Sequence, residues 1–289
     1  SVRRLLSDYT VTKEKLIEII AQECKDAKNI TLAIDDTHIP KPYSEYIEGT
    51  GDHYNGGLHQ RIRSYKVLVA AIIVADKTYP LDCNFIWGKE YKDQQKPSKN
   101  LLILSIIEKV KKVLAHAQLK VVMDGAFVNK EIIGLLIQKN ISFEMRMHSN
   151  RTVIYKNNKT QIKNIKKLSP TQSHINHTIK ANWNDYSLFI TSHKRIDKNG
   201  KETIIYLVSN YKSEARNHVA QYKIRWNIEK MFRTCKQKLG FSDCASTKER
   251  TQLDHIFAVL LAYSLLQLER TNNHCKTPED AFRALRKLK

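Results

Sequence analysis

The sequence predicts a mixed α/β fold, in which a mixed sheet carries helices on its faces. Three nearly continuous apolar runs come first, at residues 29–39, 65–76 and 78–90, and each is typical of a strand buried on both faces. Residues 98–148 then alternate between helical and strand-like apolar patterns. The order βββαβαβ predicts that the first three strands form an antiparallel meander.

This order matches a ribonuclease-H-like core, and it predicts four regions along the chain. Residues 1–29 form a helical lead-in, and residues 30–149 form the first part of the core. Residues 150–212 form a basic β-strand insertion, because 12 Lys and Arg face only three acids between 151 and 212. Residues 213–289 complete the core with helices. Since the chain starts without Met, we expect the lead-in to be the remnant of a longer N-terminal region.

The charge of the chain predicts a polyanionic partner. Lys and Arg number 49 against 29 Asp and Glu, which leaves a formal net charge of +20. Nucleic acid is the leading partner, and a general preference for Lys that serves only solubility is the alternative. The longest apolar run, Ile256 to Leu266, is too short to span a bilayer, so no membrane partner is expected.

Three acids follow apolar runs that predict buried strands. Asp35 and Asp36 end one run in "LAIDDT", and Asp124 ends another in "KVVMDGAF". A carboxylate at the end of a buried strand is costly unless it is paired, solvated or bound to metal. The alternative for Asp124 is a turn, because Gly125 follows it.

The segment "YKIRWNIEKMFRTCK" places four polar side chains on one stripe if it is a single helix. Tyr222, Arg225, Glu229 and Lys236 then share an arc of roughly 60° beside the apolar face. The alternative is an ordinary i,i+4 pair of Arg225 and Glu229 on a solvated face. Taken with Asp35 and Asp124, Glu229 could complete a set of hard oxygen ligands for two Mg²⁺ ions, with the neighbouring cations holding phosphates.

The same residues carry a resemblance to a known family. Tyr222, Arg225, Glu229 and Lys236 have the spacing of the YREK signature of the DDE transposases of the insertion sequence 4 family. The family also carries an aspartate in a D-x-T context and a second one in a hydrophobic-D-x-x-F context, which "AIDDT" and "VMDGAF" match. The sequence from about residue 30 to 270 resembles this family.

The resemblance implies a ribonuclease-H-like domain with a β-rich insertion domain before the helix that carries Glu229. It implies that Asp35, Asp124 and Glu229 are catalytic and bind two Mg²⁺ (or Mn²⁺), with Asp36 as the rival of Asp35. It implies contacts to DNA from a further set of side chains, Tyr222, Arg225, Lys236 and Trp183. Trp183 is the candidate for stacking on a flipped base, and a core position in the insertion is the alternative. Trp226 is interpreted as a packing residue. The histidines at 38, 53 and 59 are interpreted as solvated or DNA-contacting side chains.

The implied function is that of a DNA transposase. It would catalyse metal-dependent cut-and-paste cleavage and strand transfer of insertion-sequence ends through a hairpin intermediate, as a homodimer on paired ends. Its partners would be transposon-end and target DNA, and its place would be cytoplasmic, associated with the nucleoid. Two alternatives remain: a ribonuclease-H-like DNA nuclease or resolvase without strand transfer, and a domesticated, catalytically silent DNA-binding protein.

Overall fold

The computed structural model describes residues 9–42, 47–88, 96–169, 177–196 and 199–287. Part of the predicted lead-in (1–8) and parts of the predicted insertion (170–176 and 197–198) lie outside the described residues. The helices are α1 (Tyr9–Glu23), α2 (Lys99–Val113), α3 (Lys130–Gln138), α4 (Ala215–Lys223), α5 (Trp226–Lys238), α6 (Glu249–Asn272) and α7 (Pro278–Lys287). The strands are β1 (Asn29–Pro40), β2 (Gly51–Asn55), β3 (Gln60–Val74), β4 (Lys77–Ile86), β5 (Gln118–Met123), β6 (Ser142–Met147), β7 (Thr152–Tyr155), β8 (Asn158–Gln161), β9 (Thr178–Trp183), β10 (Tyr186–Ile196) and β11 (Glu202–Ser209).

The chain divides into two compact units. The first comprises the described residues within 1–30, 34–118 and 227–289, and the second comprises 31–33 and 119–226. Each unit combines strands with helices, so the predicted mixed α/β class is confirmed. The four-region division and the insertion at 150–212 stay predictions.

In the first unit, β3 is the central strand. It pairs antiparallel with β2 near its start and with β4 along its remainder, and β1 is its other neighbour. The segment from Val67 to Ile72 is buried at every position, as expected of a strand covered on both faces. Helices α1, α2 and α6 pack on β4, and α7 packs on α6.

In the second unit, β5 and β6 are parallel, and the strands that follow β6 in the sheet are antiparallel. Strand β6 pairs with β11, β11 with β10, β10 with β9, β9 with β7, and β7 with β8. Residues 31–33 of β1 belong to this unit, and β1 is the neighbour of β5 in the strand order. Helices α3 and α4 pack on β6.

Two helix starts show how local sequence sets the elements that carry the site. Ser98 caps α2 by accepting a hydrogen bond from the N–H of Leu101 (3.3 Å). Asn129 caps α3 in the same way through Ile132 N–H (2.9 Å). Such caps satisfy backbone donors that the first helical turn leaves without partners, and each typically contributes about 1 kcal/mol.

The seven strands and helices predicted between residues 29 and 148 are confirmed. The segment between the first two predicted strands holds one further strand, β2, which the apolar runs did not indicate. Helix α6 contains the apolar run from Ile256 to Leu266. Within the described ranges, no helix is long and apolar enough to cross a membrane.

Candidate active site

Asp35 and Asp36 lie side by side in β1, and both are half-buried. The backbone N–H of Asp36 donates to Oδ1 of Asp35 (2.9 Å). Oδ1 of Asp36 lies 3.2 Å from Nζ of Lys66 on β3 and forms an ion pair with it. The other oxygen of Asp36 is buried and has no hydrogen-bond partner among the described residues. One of the two rival acids is therefore already balanced by a cation.

Lysines surround these two acids. Burial lowers the pKa of Lys99, and Lys66 lowers it further, while the carboxylates of Asp36 and Asp35 act in the opposite direction. Lys66 and Lys99 therefore lie within electrostatic reach of the acid pair. Neither lysine has a signal in the sequence, because each stands at the start of a predicted element and belongs to no motif.

Lys236 of α5 contacts β1 just beyond the acid pair. Its Nζ donates to Oγ1 of Thr37 (2.6 Å) and to the backbone carbonyl of His38 (3.0 Å). Partial burial lowers the pKa of Lys236. Glu229 lies in the first turn of α5, two helical turns before Lys236, so the two side chains share one face of the helix. The face of α5 that carries Glu229 and Lys236 therefore lies against β1.

Asp124 lies in the second unit, directly after β5. It precedes a short 3₁₀ turn, Gly125–Phe127, but its side chain makes no capping hydrogen bond there. Instead, Oδ1 of Asp124 accepts a hydrogen bond from the hydroxyl of Tyr222 on α4 (3.2 Å). Burial raises the pKa of Tyr222, so the hydroxyl stays protonated and remains a donor. The aspartate and the first residue of the signature are therefore in contact.

Arg225 stands between α4 and α5 and is buried. Its guanidinium carbon lies 5.5 Å from the centre of the Tyr222 ring. This cation lowers the pKa of Tyr222, opposing the larger effect of burial. Arg225, Tyr222 and Asp124 thus form one cluster within the second unit.

The prediction of one continuous helix from Tyr222 to Lys236 is wrong. Helix α4 ends at Lys223 and α5 begins at Trp226. The N–H groups of Ile224 and Arg225 bond to the carbonyls three residues before them, at 3.2 and 3.0 Å, which tightens the backbone at this point. The 100° step of an α-helix does not apply across this turn, so the calculated common arc of Tyr222, Arg225, Glu229 and Lys236 does not hold.

The signature is divided between the two units. Tyr222 and Arg225 lie with Asp124 in the second unit. Glu229 and Lys236 lie in the first unit, which also contains Asp35. Each unit therefore contains one of the candidate aspartates and two residues of the signature.

The candidate metal ligands are carboxylates, which are the hard oxygen donors that Mg²⁺ and Mn²⁺ prefer. The carboxylates of Asp35, Asp124 and Glu229 are therefore suitable ligands for these ions. The buried oxygen of Asp36 that has no hydrogen-bond partner among the described residues is chemically suitable as well. Among the residues that the structure describes, no three His, Cys, Asp or Glu side chains form a group that could hold a metal ion. The two-metal site stays a prediction.

The histidines near Asp35 were expected to be solvated or to contact DNA, and two of them, His38 and His53, are less exposed than solvated side chains. His53 is buried, and its ring centre lies 6.1 Å from that of His38. His38 is half-buried and shares a hydrogen bond with Ser64 Oγ (3.0 Å). Burial, followed by the charge of Lys66, lowers the pKa of His38 to about 4, so this ring is neutral near pH 7. Of the three, His59 is the exposed one.

Trp183 is buried, as its alternative of a core position predicts, whereas Trp226 is more exposed than predicted. Trp183, on β9, is only 6% exposed, and the guanidinium carbon of Arg151 lies 5.8 Å from its ring centre. It lines a cavity of about 660 Å³ whose other walls are His148, Asn150, Arg151 and Thr152. Trp226 is 38% exposed, so its interpretation as a packing residue is wrong. Its ring centre lies 5.8 Å from the guanidinium carbon of Arg195.

A basic cavity of about 410 Å³ lies beside the Tyr222 cluster within the second unit. Its cationic walls come from β6, β10 and the end of α4, and include Arg146, Lys194, Arg195, Lys223 and Arg225. The basic excess between residues 151 and 212 includes Lys194 and Arg195, and of the five cations only Arg225 was predicted as a site residue. The others come from separate elements, so no motif connects them in the sequence.

The fold and the candidate site define a mixed α/β protein that carries an acid pair within β1, a further acid after β5 and a basic cavity in the second unit. A family model described as "Transposase DDE domain" matches residues 26–265. The chain therefore belongs to the transposase DDE domain family.

Two further similarities concern individual proteins. The chain is 27% identical over 159 residues to "Probable transposase for insertion sequence element IS5377" of Geobacillus stearothermophilus, a match that covers 53% of this chain and 40% of that protein. The chain thus spans less than half the length of this relative. A solved structure of Marinitoga piezophila Argonaute with guide RNA and target DNA matches at 12% identity and a TM-score of 0.29, covering 69% of this chain and 26% of that one. At this TM-score the likeness carries no argument.

Proposed function

We propose that this chain is the catalytic part of a DNA transposase of the insertion sequence 4 group. It would cut the ends of an insertion sequence and join them to target DNA by cut-and-paste transposition. Membership of the transposase DDE domain family is the main support for this proposal. The positive charge of the chain supports DNA as the substrate, because a phosphate backbone is the polyanion that such a surface attracts.

Three carboxylates would hold the metal ions: Asp35, Asp124 and Glu229. When bound, two Mg²⁺ or Mn²⁺ ions would stabilise the attacking and leaving oxygens of an in-line phosphoryl transfer. Asp35 is proposed as the first ligand because it has the D-x-T spacing of the family, and Asp36, its rival, forms an ion pair with Lys66. Freeing Asp36 for a metal would first require breaking that ion pair.

The signature residues would prepare the site in two ways. Tyr222 would hold the carboxylate of Asp124 in one orientation through their hydrogen bond. Arg225 and Lys236 would bind DNA phosphates, since a guanidinium and an ammonium are strong donors to phosphate oxygens. The contact of Lys236 with Thr37 fixes one of these cations beside β1.

The proposal includes a hairpin route, in which Trp183 stacks on a flipped base. Only a small part of Trp183 is exposed, at a cavity that also contains Arg151. A Trp183→Leu variant should then reduce hairpin products on a denaturing gel while the first nick is retained. Equal amounts of hairpin from variant and wild type would remove Trp183 from this role.

The decisive experiment is cleavage and strand transfer by the full-length protein on duplex DNA that carries the terminal sequences flanking its gene. Wild type is compared with Glu229→Gln in Mg²⁺, and DNA binding is measured separately in EDTA. We expect Mg²⁺-dependent transfer that Glu229→Gln abolishes without loss of binding. Glu18→Gln is the matched control, because it removes an exposed carboxylate that is not a candidate ligand. Asp36→Asn, compared with Asp35→Asn, decides between the two rival acids.

Other outcomes would assign the chain elsewhere. Cleavage without joining of a pre-cut 3′ end would indicate a nuclease or resolvase. A folded wild type that binds DNA and never cuts it would indicate a silent DNA-binding protein. Cross-linking on paired ends would test the proposed homodimer, since one protomer should be recovered per end.

A further inference from the structure

A second basic cleft lies within the first unit, on a different face of the helix that carries Glu229. It has a volume of about 730 Å³ and is lined by α5, α6, the start of α7 and the turn between β3 and β4. Five cationic side chains line it: Lys230, Arg233, Arg270, Lys276 and Arg283. Two acids, Asp76 and Glu279, line it as well.

The acids of the cleft already have partners. Asp76 forms an ion pair with Arg270. Glu279 accepts a hydrogen bond from the hydroxyl of Thr234. Arg283 is paired in turn with Asp280 (3.1 Å). With Asp280 included, three acids oppose the five cations, so the cleft keeps a net positive charge.

Three of the cations remain available for a ligand. Lys230, Arg233 and Lys276 are exposed and form no ion pair with any residue that the structure describes. Like charges gathered in a concave surface repel each other, and a concave surface also focuses their field. An anion that enters the cleft would relieve this repulsion.

The position of the cleft on α5 separates it from the candidate active-site face. Counting 100° per residue, Lys230 and Thr234 lie about 100° and about 140° around the helix from Glu229, whereas Lys236 lies within about 20° of it. Arg233 lies between the two faces, at about 40°. A DNA strand that lies over the face of α5 carrying Glu229 would therefore be able to continue onto the cleft.

We propose that this cleft binds the phosphodiester backbone of DNA at a site separate from the candidate metal ligands. The inference rests on the proposed function only in taking DNA as the source of the phosphates. Three exposed cations, two on α5 and one just before α7, suit two or three successive backbone phosphates. No base-reading contact is required, so binding here should be independent of sequence.

The test is DNA binding by the full chain in EDTA, where no cleavage is needed. The variant is Lys230→Gln/Arg233→Gln/Lys276→Gln, and the matched control is Lys25→Gln/Lys28→Gln/Lys112→Gln, which removes three exposed charges elsewhere in the first unit. Loss of three phosphate contacts should reduce the slope of log K against log salt by about two to three. At ~0.1 M salt the affinity should fall roughly a hundredfold, against a severalfold loss in the control.

Each alternative result would overturn the inference. Equal losses in variant and control would indicate only the general charge of the protein. Stabilisation of the wild type by pyrophosphate but not of the variant, with DNA binding unchanged, would indicate a site for free phosphate compounds. If the variant kept the melting temperature and the salt dependence of the wild type, the cleft would not be a DNA-binding site, and the proposed function would be unaffected. A wild type that binds no DNA would instead contradict the proposed function itself.

Discussion

The hydroxyl of Tyr222 donates a hydrogen bond to Oδ1 of Asp124 across 3.2 Å, joining α4 to the residue that follows β5. The two residues are 98 positions apart in the sequence, and both were selected for separate reasons. Tyr222 is buried, so water cannot easily replace its hydroxyl at the carboxylate. The contact makes Tyr222 a positioning residue for Asp124 in the proposed reaction.

Tyr222→Phe should lower cleavage while the protein stays folded. Loss of one hydrogen bond should reduce the free energy of unfolding by about 1 kcal/mol. Because Asp124 would lose its fixed orientation, the Mg²⁺ concentration needed for half-maximal cleavage should rise. Metal titrations of the cleavage rate, together with urea unfolding, would measure both effects.

Tyr206→Phe is the control for this change. Tyr206 is also buried in the second unit, but its hydroxyl has no hydrogen-bond partner among the described residues. Its removal should leave the metal dependence unchanged. If Tyr222→Phe behaved in the same way as Tyr206→Phe, the positioning role would be wrong.

Lys236→Met should weaken DNA binding and cleavage together. The ammonium group donates to Thr37 and His38 on β1, and the substitution removes both bonds and the positive charge. Thr37→Val removes one acceptor and keeps the charge, so it separates anchoring from phosphate binding. We expect Thr37→Val to retain most DNA binding in EDTA and Lys236→Met to lose about tenfold at ~0.1 M salt. Equal binding by both variants would contradict a phosphate contact of Lys236.

The strands and helices around Asp35 and Asp36 could be predicted because the pattern of apolar residues within each element determines its secondary structure. The part of β3 from Val67 to Val74 is apolar at every position, and the helix α2 repeats Ile103, Ile106, Ile107 and Val110 at helical spacing. Strand β2 could not be predicted in this way. Its sequence, GDHYN, has low strand propensity, and it is a strand because it pairs with the start of β3.

The residues of the candidate site stay a prediction, and their contacts could not be predicted. The spacing from Tyr222 to Lys236 selected four residues, while the assumption of one helix gave them the wrong mutual orientation. The tight turn at Ile224 and Arg225 carries no Gly or Pro that would have indicated it. Similarly, the pairing of Asp36 with Lys66 connects different strands and has no local signal.

Asp82→Ala should destabilise the first unit. The Asp82 side chain is 7% exposed and lies 2.9 Å from Lys13 on α1 and 3.2 Å from Lys109 on α2, so it connects two helices to β4. Removing it leaves two partly buried ammonium groups without their counter-charge, which should cost about 2–4 kcal/mol in the free energy of unfolding. Burial already lowers the pKa of Lys109, and the variant should lower it further.

The exposed pair of Lys15 and Glu18 is the control for Asp82. Its atoms are 2.6 Å apart, but both side chains are about 60% exposed (60% and 62%). Glu18→Gln should change the free energy of unfolding by less than about 0.5 kcal/mol. Urea unfolding, monitored by circular dichroism, would compare Asp82→Ala with Glu18→Gln. If both variants changed the free energy of unfolding by similarly small amounts, the ion pairs of Asp82 would not stabilise the packing of α1 and α2 on β4.

Glu144 on β6 should give the second unit a characteristic pH dependence. Its side chain is buried, with Oε2 2.8 Å from Nδ1 of His218 and 2.9 Å from the hydroxyl of Tyr211, while Oε1 has no partner among the described residues. Burial raises the pKa of Glu144 above its ordinary value of 4.5, although His218, Tyr211 and Lys120 oppose this. The native state therefore holds this proton to a higher pH than the unfolded state does. The resulting stability is present in full below about pH 4.5 and is lost as the pH rises through the raised pKa.

Glu144→Gln isolates this contribution, because the other titrating groups remain in both proteins. Since Gln is neutral at every pH, the variant should gain stability relative to the wild type as the pH rises from about 4 to about 8, with a plateau once the native carboxyl has ionised. Free energies of unfolding at several pH values in that range would give the difference curve. A curve that stays flat, or one that falls with rising pH, would mean that Glu144 ionises in the native state as easily as in the unfolded chain and that burial does not control its proton.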